Sequence, residues 1–314
     1  MIENSIIIPV RNQKESLFLC LASLKKQIKK PRVFEIVICD DGSTDGTGEA
    51  VKKLKYPIFF KYFKNDPPLG RAANRNRGFE KSSGSKLVFL DGDMVPDEKY
   101  VDSMLGGADN ETVRLGVPKP PPDMKQTGLE KYLYSRGRYS SNFRDTILPG
   151  RYFTSNSFYI SRENFAKSGG FDTNFKGWGG EDIDFGLRLD ALGIPIKNIP
   201  QAVTYHHHKR TLNSLVADFY DFGRDSFAYL IQKHPRFFEQ LPSQWLGLSS
   251  DSEKVNIFKR LISGLTINRF SLKAAEKLIS RWSDSALPDF LFDYVLWGNL
   301  ALGYKERGKP GKDD

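Results

Sequence analysis

Several short polar clusters in the first 210 residues combine side chains capable of chemistry. Asp91-Gly92-Asp93 follows directly on the apolar run Lys86-Leu-Val-Phe-Leu90. Two carboxylates two residues apart, with glycine between them, can hold a hard divalent cation at a strand end. Such a cation neutralises a diphosphate; the same three residues also make an ordinary Asp-Gly turn. Asp40-Asp-Gly-Ser-Thr-Asp45 closes another apolar run. Asp40 and Asp41 offer acceptors to a ribose hydroxyl or a base N–H, while Thr44 or Asp45 can cap a following helix. Glu181-Asp182 opens a helix after Gly177-Trp-Gly-Gly180. The helix dipole alone favours acids there. A carboxylate at that place can also serve as a general base, next to the flat ring of Trp178 and the close backbone approach that Gly179 and Gly180 permit. Asp184 reads as helix surface or structural support.

His206-His-His208 holds three of the four histidines of the chain. In an extended segment His206 and His208 share one side and His207 takes the other. A histidine near Asp93 would give a mixed oxygen and nitrogen set, better suited to Mn²⁺ than to Mg²⁺; a polar strand end is the simpler alternative. Arg71 and the run Asn74-Arg-Asn-Arg-Gly78 could present forked donors to a pyrophosphate, although their spacing alone favours a solvated helix face. The Lys25, Lys26, Lys29, Lys30, Arg32 run reads as a solvated helix end, with a membrane surface as the lesser alternative.

These clusters need elements to position them. Ser5–Val10, Phe34–Cys39, Ile58–Phe63 and Lys86–Leu90 are short runs of strand character. Between them, 16–28, 45–54 and 72–82 carry helical spacing or helix-start signals. Strands alternating with helices imply right-handed βαβ units and a mainly parallel sheet, with ligands outside the carboxyl ends of the strands. Asp40-Asp41 and Asp91-Gly-Asp93 both fall at that edge. From Tyr100 to Pro149 the pattern is irregular, and Val117-Pro-Lys-Pro-Pro-Pro122 reads as a turn or loop. Tyr152–Ile160 and Ala202–His206 read as strands, 162–168 as a short helix, and 181–192 as a helix. After Thr211 the chain turns to aromatic-rich helical patterns, such as Leu215–Lys233 and Phe290–Tyr304. The expected divisions are 1–100, 101–210, a helical region 211–304, and a charged disordered tail 305–314.

The chain has 314 residues, 39% hydrophobic and 13% aromatic, which excludes whole-chain disorder. Its net charge is +9, of which +8 lies in the first 210 residues, so an anionic partner is expected on that side: a nucleotide or an anionic surface. The basic charge is diffuse and no nucleic-acid motif accompanies it, so nucleic acid is not an expected partner. Cys20 and Cys39 have no zinc or disulfide spacing and fit a reducing compartment. The N-terminus shows no signal-peptide pattern, and the apolar stretch near Phe290–Tyr304 is too interrupted to span a bilayer. A cytoplasmic protein, soluble or peripheral on the inner face of a membrane, is expected.

In order and spacing, Ile6-Ile-Ile-Pro-Val-Arg-Asn12, Asp40-Asp-Gly-Ser-Thr-Asp45, Arg75-Asn-Arg-Gly78 and Phe89-Leu-Asp-Gly-Asp93 resemble the family 2 inverting glycosyltransferases of the GT-A fold. Gly169-Gly-Phe-Asp172 and Gly177-Trp-Gly-Gly-Glu-Asp-Ile-Asp184 look like the acceptor-side motif of chondroitin-polymerase-type and galactosyltransferase-type relatives. The resemblance covers about residues 4–210 and implies an α/β GT-A domain, Rossmann-like, followed by a helical C-terminal region. It implies a nucleotide-diphosphate sugar donor, most often UDP-linked, with Pro9, Arg11, Asp40 and Asp41 around the nucleoside and Arg75 near the diphosphate. Asp93 would hold Mn²⁺ or Mg²⁺, Asp91 and Gly92 would support the donor, and His206, or else His208, would complete the metal set. Asp182 would be the catalytic base and Glu181 an acceptor or sugar contact, with Trp178, Gly179 and Gly180 on the acceptor side. The acceptor would be a glycan, a lipid-linked glycan or a protein, and the C-terminal helices are candidates for acceptor binding, membrane contact or a homodimer.

Two other classes compete. A nucleotidyltransferase would carry a glycine-rich phosphate loop after the first strand, where this chain has Pro9-Val-Arg-Asn-Gln-Lys14. A non-catalytic nucleotide-sugar or glycan-binding module on the same scaffold has no need of the intact Asp-Gly-Asp and Glu-Asp pairs.

Overall fold

The computed structural model describes residues 1–135, 147–207, 210–239, 241, 257–282 and 287–308. Its strands are β1 (Asn4–Val10), β2 (Phe34–Asp40), β3 (Phe59–Lys64), β4 (Lys86–Leu90), β5 (Met94–Pro96), β6 (Val113–Lys119), β7 (Ser157–Ser161) and β8 (Ile196–His206). The helices are α1 (Lys14–Gln27), α2 (Thr47–Lys52), α3 (Arg71–Lys81), α4 (Tyr100–Leu105), α5 (Gly128–Ser135), α6 (Arg162–Lys167), α7 (Glu181–Ala191), α8 (Leu212–Asp221), α9 (Phe227–Lys233), α10 (Pro235–Glu239), α11 (Ile257–Thr266), α12 (Arg269–Ser280) and α13 (Asp289–Glu306). Two compact units divide the chain. The first comprises Met1–Met124, Tyr134–Thr173 and Glu181–His208, and the second Lys125–Leu133, Asn174–Gly180 and Lys209–Asp314.

The first unit holds one sheet of order β3-β2-β1-β4-β7-β6-β8-β5. The β3-β2-β1-β4 half is parallel, as βαβ units require. Beyond it β7 runs antiparallel to both β4 and β6, β8 is parallel to β6, and β5 is antiparallel to β8. Successive strand residues face opposite sides, so the sheet carries a separate core on each face. Ile6, Ile8, Ile36, Ile38 and Val88 pack with Leu17, Leu21 and Leu24 of α1. Ile7, Val37, Leu87 and Phe89 pack with Phe158, Phe165, Phe171 and Phe185. The phenylalanines stack in pairs, Phe89 on Phe158 at 4.6 Å and Phe171 on Phe185 at 4.4 Å between centroids. Helix α3 lies so close to the sheet that a Cβ on Gly78 would come within 2.3 Å of Ile7 Cγ2.

Four local expectations change. Val117-Pro118-Lys119 is strand, not loop: β6 pairs with β7 only at Arg114 and Leu115, and at Pro118 only with Thr204 of β8. Proline is tolerated where one side of the strand asks for no N–H. The segment before β7 is not strand from Tyr152 but a 3₁₀ turn at Gly150–Tyr152 and an irregular stretch up to Ser157. Helix α2 begins at Thr47, because Asp45 Oδ1 accepts from the Thr47 N–H and hydroxyl at 3.0 and 2.5 Å. Strand β8 begins at Ile196, six residues before the expected start.

The second unit is helical among its described residues. Leu129 and Tyr132 of α5, Leu212, Leu215 and Val216 of α8, Ile279 of α12, and Phe292, Val295 and Leu296 of α13 form its core. A π-helical turn, Phe222–Ser226, joins α8 to α9. Glycines bring this turn onto α13: a Cβ on Gly223 would meet the Leu300 carbonyl oxygen at 2.0 Å, and one on Gly303 the Tyr220 carbonyl at 2.1 Å. Helix α13 continues through Lys305 and Glu306; of the charged tail, 309–314 lie outside the described residues. Among the described residues no helix is long and apolar enough to cross a membrane.

Candidate active site

The carboxyl ends of β1, β2 and β4 carry the loops that the sequence singled out, and these loops bind one another. Asn12, at φ 54°, accepts from the Thr44 N–H at 2.8 Å through Oδ1 and donates its own N–H to Ser43 Oγ at 2.9 Å. Pro9 is half-buried and Arg11 exposed. A Cβ on Gly92 would approach Val10 Cγ1 at 2.6 Å and Gln13 Oε1 at 2.9 Å, so the Asp-Gly-Asp turn packs directly on the end of β1.

Asp40 and Asp41 are both buried and both occupied by the protein. Asp40 accepts from the Ser43 N–H and the Tyr62 hydroxyl, each at 2.7 Å. Asp41 accepts from Asn65 Nδ2 at 2.9 Å and from the Leu69 and Gly70 N–H groups at 2.7 and 2.9 Å. Asn65 also donates to Asn74 Oδ1 at 2.8 Å and accepts from Arg77, while Asn74 donates to the Cys39 carbonyl at 2.8 Å. The polar run on α3 is therefore not a solvated face: Asn74 and Arg75 are buried. Burial became affordable because each polar atom meets a fixed partner from a strand end. Asn76 does the same for Gly169-Gly-Phe-Asp172, donating to the Phe171 carbonyl and accepting its N–H, both at 2.8 Å.

Arg75 is the centre of the site. Its Nη2 donates to both oxygens of Asp91, at 2.9 and 3.2 Å, and its Nη1 lies 3.9 Å from Glu181 Oε1. Nε and Nη1 have no hydrogen-bond acceptor among the described residues. Burial disfavours the cation, but Asp91, Asp182 and Glu181 outweigh it and hold the guanidinium more firmly protonated than usual. Burial raises the Asp91 carboxyl against the pull of Arg75, and Asp93 and Asp182 push it in the same upward direction. Burial and the neighbouring Asp182 lift Glu181 to about 7. Asp182 Oδ2 accepts from the Ser155 N–H at 3.0 Å, and its Oδ1 is buried with no hydrogen-bond partner among the described residues. Asp184 stands apart: fully buried, it holds Arg188, which also donates to the carbonyls of Ser168 and Gly170.

The second half of the Asp-Gly-Asp turn meets β8. Antiparallel pairing of Met94 with His206, and a His207 N–H bond to the Asp93 carbonyl at 2.8 Å, fix the register. His206 Nε2 thereby faces Asp93 Oδ2 at 3.6 Å, and Tyr134 Oη is 3.1 Å from His206 Nδ1. His208 lies outside the described residues. No group of three His, Cys, Asp or Glu side chains gathers into a metal-binding set among the described residues. The Asp93–His206 pair nevertheless fits a divalent cation in its donor types, one carboxylate and one imidazole, if a ligand supplies the remaining oxygens.

Tyr134, Ser155 and Asn65 belong to the site but carry no motif in the sequence. Only the unbroken polar run Thr154-Ser-Asn156 hints at a loop, and the Asn156 carbonyl accepts the Asp91 N–H at 2.9 Å. Trp178, Gly179 and Gly180 belong to the second unit. There the Trp178 ring lies 5.5 Å from that of Phe219, with the Arg210 guanidinium 5.7 Å from its centroid. Gly179 and Gly180 take φ of 88° and 95°, and a Cβ on Gly180 would meet Phe175 at 2.7 Å, so the room these glycines leave is filled by protein rings.

Residues 5–171 match the model of glycosyl transferase family 2, and residues 140–211 match that of the N-terminal domain of galactosyltransferase. Validoxylamine A glucosyltransferase of Streptomyces hygroscopicus subsp. limoneus is 33% identical over 222 residues, covering 61% of this chain and 49% of that protein. Chondroitin synthase of Pasteurella multocida is 31% identical over 236 residues, covering 64% of this chain and 24% of that one. The chain thus spans about half the length of the first relative and a quarter of the second. The solved mannosyltransferase PcManGT of Pyrobaculum calidifontis, in complex with GDP-Man and Mn²⁺, superposes with a TM-score of 0.63 at 18% identity, over 96% of this chain and 86% of that one. This likeness is one of fold, in keeping with a GT-A class for the α/β unit.

Proposed function

The chain belongs to glycosyl transferase family 2, and from that premise we propose that it is a metal-dependent inverting enzyme. It would move a sugar from a nucleotide-diphosphate donor, UDP-linked by preference, to a hydroxyl of a glycan, lipid-linked or protein acceptor. The observation that carries this reading is the gathering of Asp91, Glu181 and, within electrostatic reach, Asp182 around the buried guanidinium of Arg75. A cluster of carboxylates around a buried arginine, with Asp91 and Glu181 both raised by burial, at the carboxyl edge of a parallel sheet is where such chemistry is expected.

In this reading Asp182 is the base. Ser155 orients its Oδ2, and Oδ1 accepts the proton of the acceptor hydroxyl. The acceptor oxygen bonds to the anomeric carbon as the bond from that carbon to the phosphate oxygen breaks, with inversion, and the nucleoside diphosphate departs. Glu181, titrating near 7, is in part protonated at neutral pH and limits the negative charge beside Asp182. Arg75 holds Asp91 against the donor side. Asp93 and His206 would hold Mn²⁺ or Mg²⁺. When bound, that cation stabilises the negative charge of the diphosphate leaving group. Pro9, Arg11 and the Asp40–Asp41 loop would border the nucleoside, Asp41 acting by fixing the Leu69–Gly70 backbone. Trp178, in the segment that runs into Glu181, would contact the acceptor.

The test is thermal unfolding with UDP, GDP, CDP and dTDP, each with and without Mn²⁺. A ligand at a hundred times its dissociation constant stabilises by about 2.7 kcal/mol. A shift that requires UDP and Mn²⁺ together supports both the donor and the metal. A larger shift with GDP, which shares its nucleotide with the GDP-Man of the mannosyltransferase complex, overturns the UDP preference. No shift with any nucleotide favours a non-catalytic scaffold.

A further inference from the structure

We propose that the outer face of α12 docks the protein on an anionic lipid bilayer. Along this helix Leu272, Glu276 and Ile279 are buried and fix which side faces inward. On the opposite side Phe270, Ala274 and Leu278 recur every fourth residue, and Trp282 continues the stripe just past the helix end. Phe270 is 86% exposed, Leu278 63% and Trp282 59%, values that a folded core does not leave in a row without a use. Lys273, Lys277 and Arg281 form a second stripe at the same four-residue spacing, immediately beside the first. The only acid of the helix, Glu276, is buried and takes Lys273 Nζ as its partner at 3.3 Å, so Lys277 and Arg281 are the cations that carry the contact with lipid. A cleft of about 350 Å³ lined by Asn213 of α8 and by Lys273, Glu276, Lys277, Ser280 and Arg281 opens along the basic stripe.

Apolar side chains flanked by a line of cations, on one side of a helix, match a bilayer interface in both chemistries: aromatic and aliphatic groups enter the acyl boundary while cations meet lipid phosphates. The charge pattern selects lipid over a second copy of the chain. A two-fold contact through this face would bring Lys273, Lys277 and Arg281 against their own equivalents. Residues 211–314 as a whole are close to neutral, with 14 basic and 13 acidic residues, so the cations of α12 are a local concentration rather than part of a general excess. A stripe that runs the length of the helix fits a helix lying in the plane of the interface.

The full chain is mixed with vesicles of equal parts phosphatidylglycerol and phosphatidylcholine, and with vesicles of phosphatidylcholine alone, and recovered by flotation. Binding to the anionic vesicles, weakened by added salt, is expected, with little binding to the neutral ones. A cation at the surface changes partition roughly fivefold, so the pair Lys277→Glu and Arg281→Glu should lower binding by well over tenfold. The pair Phe270→Ser and Leu278→Ser should lower it at least tenfold, and both variants should keep the wild-type melting temperature, since none of these side chains is buried. Absence of binding to anionic vesicles, or equal binding by the variants, overturns the proposal. So does a dimer in solution that Phe270→Ser disperses, which would assign the face to a second copy. Nucleotide binding is untouched in every arm, so failure here is separate from failure of the glycosyl-transfer reading.

Discussion

Asp40–Asp41 and Glu181–Asp182 are both adjacent acid pairs at the edge of an element, and in the sequence they look alike. In the structure they are opposites. The first pair accepts five hydrogen bonds, all from the chain itself. The second pair sits beside a buried arginine, receives the Ser155 N–H on Asp182, and leaves Asp182 Oδ1 without a hydrogen-bond partner among the described residues. A carboxylate whose lone pairs are filled by fixed donors is a structural bolt. One left short of donors in a buried place keeps the capacity to take a proton, at a cost in stability that folding elsewhere must offset.

The sharpest way to break this contrast is Asp182→Asn, which preserves shape and removes the base. Turnover should fall about a thousandfold, while the melting temperature and nucleotide binding stay near those of the wild type. Turnover within a few-fold of wild type would return Asp182 to a helix-start role. The mirror experiment is Asp41→Ala. It strips acceptors from Asn65, Leu69 and Gly70 and should destabilise the fold by about 3 kcal/mol in denaturant titration. A loss below about 1 kcal/mol would mean that Asp41 is not a bolt and that the two pairs differ less than their contacts suggest.

Why the sequence could not separate the pairs is a matter of distance along the chain. The β-branched runs and the helical spacing were legible for β1 to β4 and α1 to α3, because periodicity is local. The donors that quench Asp41 come from residues 65, 69 and 70, and the arginine that organises Glu181 comes from α3, more than a hundred residues earlier. No window contains both. The same holds for Tyr134 and Ser155, whose roles arise only when β8 and the segment before β7 are laid beside the Asp-Gly-Asp turn. Pro118 misled for a related reason: proline argues against a strand until one knows which side of β6 lacks a partner.

Glu181 sharpens the comparison through pH. Its carboxyl titrates at 4.5 in a reference environment and at about 7 in the fold. The folded state holds this proton more tightly than the unfolded chain. Its contribution to stability is therefore complete below about pH 4.5 and is lost as pH rises through about 7. Glu181→Gln, which mimics the protonated acid, should escape that loss. Without metal or nucleotide, the variant should gain on the wild type by on the order of 2 kcal/mol between pH 4.5 and 8. Parallel stability curves would show that Glu181 ionises like a surface acid and that the strain at this pair rests on Asp182 alone.

The smallest effect concerns the edge of the second pair's neighbourhood, where the Asp-Gly-Asp turn meets β8. His206 and His207 are sequence neighbours, yet only His206 turns its ring toward Asp93, with Tyr134 against its other nitrogen; His207 is exposed and contributes its backbone N–H. If Asp93 and His206 hold the cation, His206→Ala should raise the Mn²⁺ concentration for half-maximal transfer about tenfold or more. Tyr134→Phe, which frees the ring to rotate, should raise it by a smaller factor. His207→Ala keeps the N–H bond to the Asp93 carbonyl and should change it less than twofold. Equal effects at the two histidines would leave Asp93 to act with the nucleotide alone, and the strand pairing of Met94 with His206 would then be architecture rather than a metal site.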